Sequence, residues 1–506
     1  MKPTGRTLPA GWIWVAASIL LGAATLHVLA GGYVNDQALF RWTLVDAILD
    51  AGELGLENIS LLYPHLPLYL LVPFHYIPGL ASPFAPHLVS CLIAGLLLAL
   101  WYRHLRMRNF SRGMAAVLVL LMGAHPVFLW AATSGAGKAL GLLIFYLVCL
   151  ACSRLLRIGD LRSIIALGGL LALYFFVDER TAFLLLALMP LLPFMAPLRM
   201  LRASILSTFL LTSLPAIIAI LAWIYLNWLF HGDPLYFLTS PESAFIGASQ
   251  SIAESEWLRT YGGRLFPALG AATALLALIL PAFAWALWRL RTRRRLLIGM
   301  AVLGLHPLLA VAIATQHYFV EHPLDFVYLA LAACMSALLL SPRAWNRAVL
   351  PPIAWLLVSC IGGWAALHVM PTDEMRDWRT TFVGAERPPA PSAERQVGQW
   401  LAHNREATLI DHRAAYRILA ARGDADGLWL PFMNEFKFAE HSSPAHAPQV
   451  VVLDPRHPQA WRDRLTTRFA DLHDHGHPGY RLALDAPPWR VYRRQDLPPP
   501  RTERPQ

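Results

Sequence analysis

The chain has 506 residues, of which 56% are hydrophobic and only 15% are charged, and its mean hydropathy is +0.46. A soluble protein of this length needs about 25% charged residues to cover its surface, so the composition excludes an ordinary soluble enzyme and indicates a polytopic membrane protein. The formal net charge is +10. In a soluble protein this charge would suggest a nucleic-acid partner, so its distribution along the chain has to be examined first.

Apolar runs of roughly the 20 residues that cross a hydrocarbon core follow one another from Gly11 to Met370. We predict about eleven transmembrane helices on this length criterion. They cover residues 12–33, 86–102, 113–132, 136–153, 163–177, 181–197, 203–229, 265–288, 296–315, 323–341 and 348–370. The first run is long and uninterrupted for a cleaved signal peptide, so we interpret it as a retained helix.

Basic residues distinguish the two sides of the membrane. Eighteen Lys and Arg residues of this region lie at the N-terminus and in alternate gaps between the predicted spans, and the remaining gaps hold five. The positive-inside rule assigns the first set to the cytoplasm. The N-terminus is therefore predicted in the cytoplasm of a cytoplasmic (inner) membrane, and the C-terminal residues outside it, in the periplasm or extracellular space. The excess positive charge is a topology signal, and no nucleic-acid partner is expected.

The apolar segment Pro64–Phe84 contains five prolines, which break helices. If it spanned the membrane, the arginine-rich loop after Trp101 would face outside. A helix in the outer interface or a re-entrant pair agrees better with the prolines and the charges.

Composition divides the chain into a membrane part and a soluble part. Residues 1–370 form the predicted transmembrane domain, with long outer loops at 31–85 and 230–264, and residues 371–391 form a Pro-rich linker. Residues 392–506 alternate helical and strand patterns, which predicts a small extracytoplasmic α/β domain. The fold class expected is thus an α-helical polytopic membrane protein with a C-terminal α/β domain.

The outer loops carry the residues that could do chemistry. Asp36 directly follows the first span, close to the membrane plane, where a carboxylate is costly. The helix after it is amphipathic and could lie on the membrane surface, through apolar residues at helical spacing: Leu39, Trp42, Val45, Ile48 and Leu49. The acidic residues Asp46, Asp50, Glu53 and Glu57 are interpreted as its solvated face.

Two further candidates lie at the ends of predicted spans. Asp178, Glu179 and Arg180 interrupt a long apolar stretch; they form either a polar turn or a site in which Arg180 grips a phosphate and Glu179 pairs with it or serves the acceptor. Lys138 follows Gly135 and Gly137, but the spacing is not that of a phosphate-binding P-loop. Lys138 therefore either neutralises a phosphate or snorkels towards the membrane surface.

Two more outer loops contain polar residues of less specific pattern. Asp233 lies in a Gly-Asp-Pro turn next to Tyr236, an aromatic residue suited to sugar or interfacial contact. The segment HYFVEHPLDF (His317 to Phe326) has two histidines and two carboxylates without a recognised ligand spacing, so a polar helix end is favoured over a metal site. No cofactor is expected with certainty, and a divalent metal is doubtful.

Taken together, these outer-loop features resemble the GT-C glycosyltransferases, a family that includes protein O-mannosyltransferases and the lipid A aminoarabinose transferase. The similarity rests on VNDQALF after the first span, YPHLPLYLL with Tyr63 and His65, FFVDERTAFLLLALMPLLP and YLNWLFHGDPLYFL. It covers nearly the whole chain through weak motifs.

The resemblance implies transfer of a sugar from a polyprenyl-phosphate donor to a glycan, lipid or protein of the cell envelope, on the outer face of the membrane. It implies that Asp36 acts as the general base or orients the acceptor nucleophile. With the outer-loop residues described above, the predicted substrate-binding residues are Tyr63, His65, Lys138, Glu179, Arg180, Asp233 and Tyr236. Two departures stand out: many relatives have Asp-Glu where this chain has Asp36-Gln37, and an acidic residue where this chain has residues 134–138. The missing carboxylate makes a metal-dependent mechanism doubtful and leaves Lys138 to bind donor phosphate.

Two other functions remain open at this point. A multi-span transporter would be expected to carry charges within spans and internal repeats, neither of which is evident. A catalytically silent scaffold on the same fold is compatible with the missing second carboxylate.

Overall fold

The computed structural model describes residues 10–52, 55, 58, 66–178, 180–195, 204–239, 255–340, 350–369, 372–384 and 392–497. The chain divides into two compact units. The membrane unit comprises Met1–Asn35, Leu61–Tyr69 and His87–Glu386, and the C-terminal unit comprises Asp36–Ser60, Leu70–Pro86 and Arg387–Gln506. Most of the loop 31–85 thus groups with the C-terminal residues, whereas the sequence placed it in the transmembrane domain.

Helices dominate the described residues from the N-terminus to the end of the membrane unit. They run over Ala10–Ala30, Asp36–Asp50, Leu66–Tyr69, Val72–His75, Ala85–Met107, Arg112–Gly123, Pro126–Thr133, Lys138–Arg157, Leu161–Phe175, Thr181–Leu188, Ile205–His231, Tyr236–Thr239, Glu256–Tyr261, Leu265–Ile279, Pro281–Arg289, Arg294–Gln316, Leu324–Val327, Ala330–Leu340, Leu350–Val369 and Asp373–Phe382. A 3₁₀ helix over Met189–Met195 continues the helix that ends at Leu188.

The predicted spans coincide with three kinds of helix among the described residues. Six helices are long and apolar enough to cross a membrane, and two bent helix pairs raise the number to eight if each pair is one span. Three further predicted spans coincide with shorter apolar segments, at Leu161–Phe175, Thr181–Pro193 and Leu324–Leu340. The proline-rich segment Pro64–Phe84 forms two helices of only four residues each, Leu66–Tyr69 and Val72–His75.

The two bent pairs were predicted as uninterrupted spans. The first bends by 69° between Gly123 and Pro126, and the second by 83° between Ile279 and Pro281. Proline lacks the N–H of a helical hydrogen bond and disfavours helical backbone in the residue before it. Each proline therefore starts a new helix instead of continuing the old one.

The second bent pair packs closely against the last span. A Cβ atom at Gly362 would lie 1.9 Å from the carbonyl oxygen of Leu278, at the end of the helix Leu265–Ile279. Only a residue without a Cβ atom permits this approach of two backbones.

The C-terminal unit contains a five-stranded mixed sheet of strand order β2-β1-β3-β5-β4. The strands are β1 (Thr408–Leu409), β2 (Leu428–Trp429), β3 (Gln449–Leu453), β4 (Tyr480–Ala486) and β5 (Trp489–Arg494). β1 pairs in parallel with β2 and β3, whereas β5 pairs antiparallel with β3 and β4. β3 is buried along its whole length, as its continuous apolar sequence predicts for a central strand.

Short helices complete the C-terminal unit. They run over Ala393–His403, His412–Arg422, Asn434–His441, Arg464–Arg468 and Leu472–His475, with 3₁₀ turns at Pro444–His446 and Ala460–Arg462. Helices and strands thus alternate along the described residues of this segment, as its sequence pattern predicts.

The helix Asp36–Asp50 belongs to the core of the C-terminal unit. Its Trp42, Val45 and Ile48 are buried, and Ala47 is part of an apolar cluster with Val397 of the C-terminal residues. The sequence predicted that this apolar face lies on the membrane surface. In the structure, other residues of the same unit cover it, and this packing removes the apolar side chains from water without lipid.

Candidate functional site

Three charged side chains meet in the membrane unit at the start of the short helix Leu324–Val327. Asp325 Oδ1 lies 2.9 Å from Lys138 Nζ and 3.0 Å from Arg180 Nη1. The side chains are largely buried, with exposed fractions of 10% for Asp325, 5% for Lys138 and 17% for Arg180. We call these three residues the Asp325 cluster. Its carboxylate contacts two cations in a place where water screens charge little, so these interactions are strong.

Local backbone geometry brings Lys138 to this position. Gly135 and Gly137 have φ angles of +74° and +79°, a left-handed conformation that glycine adopts at low cost. The chain turns there, and Lys138 becomes the first residue of the helix Lys138–Arg157. The glycines thus serve a turn, in agreement with the absence of P-loop spacing.

A polar turn presents Arg180. The Asp178 carboxylate accepts a hydrogen bond from the backbone N–H of Arg180 at 3.2 Å, and the Thr181 hydroxyl accepts one from the backbone N–H of Asp178 at 3.1 Å. Asp178 therefore shapes a polar turn, one of the two alternatives offered by the sequence, while Arg180 pairs with Asp325. Glu179 lies outside the described residues.

Aromatic rings surround the Lys138 ammonium group. Its Nζ lies 4.8 Å from the centroid of the Trp130 ring and 5.5 Å from that of Tyr328. A cation at this distance from an aromatic ring is attracted by the negative face of the ring. Trp130 is fully buried, so the ammonium group is fixed between the rings and the Asp325 carboxylate.

Trp130 also contacts a second acidic residue. Its Nε1 donates to Glu374 Oε1 at 3.3 Å, and the same oxygen accepts hydrogen bonds from Tyr33 Oη at 3.1 Å and from Asn35 Nδ2 at 2.7 Å. Burial raises the pKa of Glu374, the nearby Lys138 charge lowers it, and the Asp325 charge raises it. Glu374 is therefore an electrostatic neighbour of the Asp325 cluster.

The sequence pattern missed Glu374, Tyr33 and Trp130, and interpreted Asp325 as part of a polar helix end. Glu374 was assigned to the linker, yet the helix Asp373–Phe382 lies within the membrane unit. Trp378 of this helix is fully buried and donates to the Thr133 hydroxyl at 2.8 Å. One available signal was the position of Glu374 only a few residues beyond the last span, which mirrors that of Asp36 after the first.

Asp36 lies in the C-terminal unit as the first residue of the helix Asp36–Asp50. Its Oδ1 accepts hydrogen bonds from Arg417 Nε at 3.1 Å and Arg417 Nη2 at 2.7 Å. The two side chains are 48% and 44% exposed, respectively. One turn later, the Phe40 ring stacks on His412 and meets Tyr416 edge-on.

The remaining predicted site residues fall into two groups. Asp233 forms a local turn after the helix Ile205–His231 by accepting from the backbone N–H of Leu235 at 2.9 Å. Tyr236 stacks on His231 with ring centroids 4.0 Å apart. Tyr63 and His65 lie outside the described residues.

One group in the C-terminal unit could hold a metal ion. Ligand atoms of Asp46, Asp50 and His75 lie within 4.8 Å of one another. His75 Nδ1 is 2.9 Å from Asp46 and Nε2 is 3.8 Å from Asp50. Burial raises the pKa of Asp46, the hydrogen bond from His75 lowers it, and the Asp50 charge raises it. Asp46 and Asp50, which were interpreted as part of a solvated helix face, therefore both lie near His75.

No family model matches the sequence, and no curated protein matches it. A solved structure is similar over nearly the whole chain: the apo-state crystal structure of ArnT from Cupriavidus metallidurans, with a TM-score of 0.50 and 13% sequence identity. The match covers 96% of this chain and 98% of that one. This likeness confirms the predicted fold: the chain is a multi-pass membrane protein with the GT-C fold and a small C-terminal sheet.

Proposed function

We propose that this protein is a membrane glycosyltransferase that transfers a sugar to a cell-envelope acceptor, using a polyprenyl-phosphate sugar as its donor. The observation that carries the proposal is the convergence of Lys138 and Arg180 on the single carboxylate of Asp325. The GT-C fold and the sequence resemblance support the same function. The reaction would take place on the outer face of the cytoplasmic membrane.

The Asp325 cluster suits the departure of a lipid phosphate. When the bond between the sugar C1 and the phosphate oxygen breaks, its electron pair stays on that oxygen and negative charge develops there. Preformed cations in a poorly hydrated site stabilise such charge most effectively. Lys138 supplies a compact cation, and Arg180 supplies a planar group with paired donors that matches phosphate oxygens. Asp325 would hold both cations in place until the donor binds.

The acceptor must lose a proton as its oxygen bonds to C1. Following the sequence resemblance, we assign this proton to Asp36, and direct displacement would then invert the anomeric centre. Asp36 and Arg417 are about half exposed, and exposed ion pairs contribute only about 0–1 kcal/mol to stability. Asp36→Asn should therefore remain folded, with Arg417→Gln as its matched control for loss of the ion pair.

The test uses the purified full-length protein in nanodiscs. It measures transfer of labelled sugar from a panel of polyprenyl-phosphate hexoses and pentoses to a glycan, lipid or protein acceptor of the cell envelope. Lipids extracted from the same preparation and analysed by mass spectrometry would indicate the donor. Lys138→Ala and Arg180→Ala should each lower the turnover number by about 100-fold or more, as does loss of one oxyanion-stabilising donor. Arg259→Ala is the control, since Arg259 is an exposed arginine of the same unit.

Other outcomes would reject the proposal. Unchanged transfer in Lys138→Ala and Arg180→Ala would exclude the Asp325 cluster as the phosphate site. Unchanged transfer in Asp36→Asn would exclude Asp36 as the base. Absence of transfer from every donor, combined with substrate uptake into vesicles, would identify a transporter instead.

A further inference from the structure

Glu374 is a carboxylate whose two oxygens have different environments. Oε1 accepts from Tyr33, Asn35 and Trp130. Oε2 has no hydrogen-bond partner among the residues that the structure describes. Three donors on one oxygen fix the orientation of the carboxyl group, and the second oxygen can still accept up to two hydrogen bonds.

The Glu374 carboxyl group favours a hydrogen-bond donor at Oε2. Burial of the side chain disfavours the charged form of Glu374, which raises its pKa, and a hydrogen bond to the charged form favours that form. Oε2 is not one of the buried atoms that lack a partner among the described residues, so a ligand can reach it.

The position of Glu374 defines which ligand this is. Trp130 Nε1 donates to Glu374, while the same indole ring lies under Lys138 Nζ at 4.8 Å. Glu374 and Lys138 therefore contact the same indole ring, and the Lys138 charge acts on Glu374. A sugar whose C1 phosphate is bound by Lys138 and Arg180 would place ring hydroxyls near Oε2.

We propose that Glu374 recognises the donor sugar by accepting hydrogen bonds from its ring hydroxyls. Trp130 is fully buried and fixes Glu374 and Lys138 relative to each other. The carboxylate would repel a uronic acid, so the class of donor is a sugar without a carboxyl group. This inference rests on the proposed function, because it takes the Asp325 cluster as the phosphate site.

The experiment compares two ligands that differ only in the sugar. Native mass spectrometry of the full-length protein would measure the affinities of polyprenyl phosphate and of polyprenyl-phosphate glucose. Glu374→Gln keeps an oxygen for the three protein donors and replaces the second oxygen with an N–H donor. It should weaken binding of the glucose ligand by about 10–100-fold, as expected for loss of a hydrogen bond to a charged group. It should not weaken binding of polyprenyl phosphate, because it removes a negative charge near Lys138.

Two controls separate the sugar contribution from the phosphate contribution. Lys138→Ala should weaken binding of both ligands, because it removes a phosphate contact. Asp373→Asn should weaken neither, since Asp373 is the adjacent residue and its side chain is 92% exposed.

The outcomes distinguish this inference from the proposed function. If the wild-type protein binds polyprenyl phosphate and Glu374→Gln changes both affinities equally or neither, sugar recognition by Glu374 is rejected while the phosphate site stands. If the wild-type protein binds neither ligand, the proposed function itself fails. Should Glu374→Gln not fold, Tyr33→Phe removes one of the three donors, and a loss of affinity restricted to the glucose ligand is again required.

Discussion

The Asp325 cluster predicts an unequal response to removing its anion or one of its cations. Asp325→Asn removes the carboxylate that contacts both cations and leaves Lys138 and Arg180 as neighbouring buried charges. Lys138→Met leaves one cation and one anion, which still neutralise each other. We therefore expect Asp325→Asn to be the more destabilising substitution.

The distances and the burial set the size of this difference. Contacts of 2.9 and 3.0 Å correspond to about 5–6 kcal/mol of Coulomb attraction each at an effective dielectric constant of about 20. Most of this attraction offsets the cost of removing the ions from water, and loss of one partner of a buried ion pair typically costs about 3–5 kcal/mol. Lys138→Met should cost less, about 1.5–3 kcal/mol, as for one hydrogen bond to a charged group.

Thermal unfolding in detergent, followed by tryptophan fluorescence, measures the effect. We expect a melting temperature several degrees lower for Asp325→Asn, a smaller decrease for Lys138→Met, and no change for the exposed control Asp373→Asn. Inorganic phosphate should also stabilise Asp325→Asn more than the wild type, because a ligand that binds the folded state raises its stability.

Two results would refute this reasoning. One is a melting temperature of Asp325→Asn within about one degree of the wild-type value, a shift equivalent to about 1 kcal/mol or less for a chain of this size. The other is a larger loss for Lys138→Met than for Asp325→Asn.

Two further predictions concern packing and pH. Gly362→Ala should lower the melting temperature, because its Cβ atom would overpack against the Leu278 carbonyl at a cost of about 1–3 kcal/mol. The control Gly270→Ala should not lower it, since a Cβ atom there meets nothing within 4 Å. Equal melting temperatures of the two variants would contradict the close backbone approach. Burial and the Asp411 charge raise the pKa of Asp463 above its ordinary value, so this carboxyl group binds more protons in the folded C-terminal unit than in the unfolded chain. Burial lowers the pKa of His412 in the same unit, which has the opposite effect, so the wild type has to be compared with Asp463→Asn. As the pH rises from about 4 towards neutrality, the urea resistance of the wild type, followed by proteolysis within residues 392–497, should fall relative to that of Asp463→Asn; a relative rise would contradict this sign.

The fold class was accessible from the sequence because its determinants are local. Length of an apolar run, proline content and the position of arginines are properties of single segments, and the bilayer imposes one rule on all of them. The eleven predicted spans therefore coincide with helices. The bends before Pro126 and Pro281 were also encoded locally, although hydropathy alone does not reveal them.

The C-terminal unit shows what the local sequence pattern cannot predict. Strand β3 could be recognised from its apolar run, and the helix Asp36–Asp50 from its helical spacing. The sequence of that helix predicts an apolar face. It does not predict what covers this face, since burial against protein and burial in lipid require the same pattern. The structure places it in the core of its own unit.

The candidate site was predictable only in part. The charged residues Lys138 and Arg180 attracted attention individually, because charges next to spans are costly and need a reason. Their meeting at Asp325 depends on the packing of helices, since Lys138 and Asp325 are 187 residues apart. Glu374 meets Tyr33 across 341 residues, and no periodicity or spacing in one sequence records such a contact. The sequence by itself determined that this is a membrane protein and that Lys138 and Arg180 require explanation. Only the tertiary structure brought Asp325 and Glu374 to them, because convergence depends on how helices pack and not on any single segment.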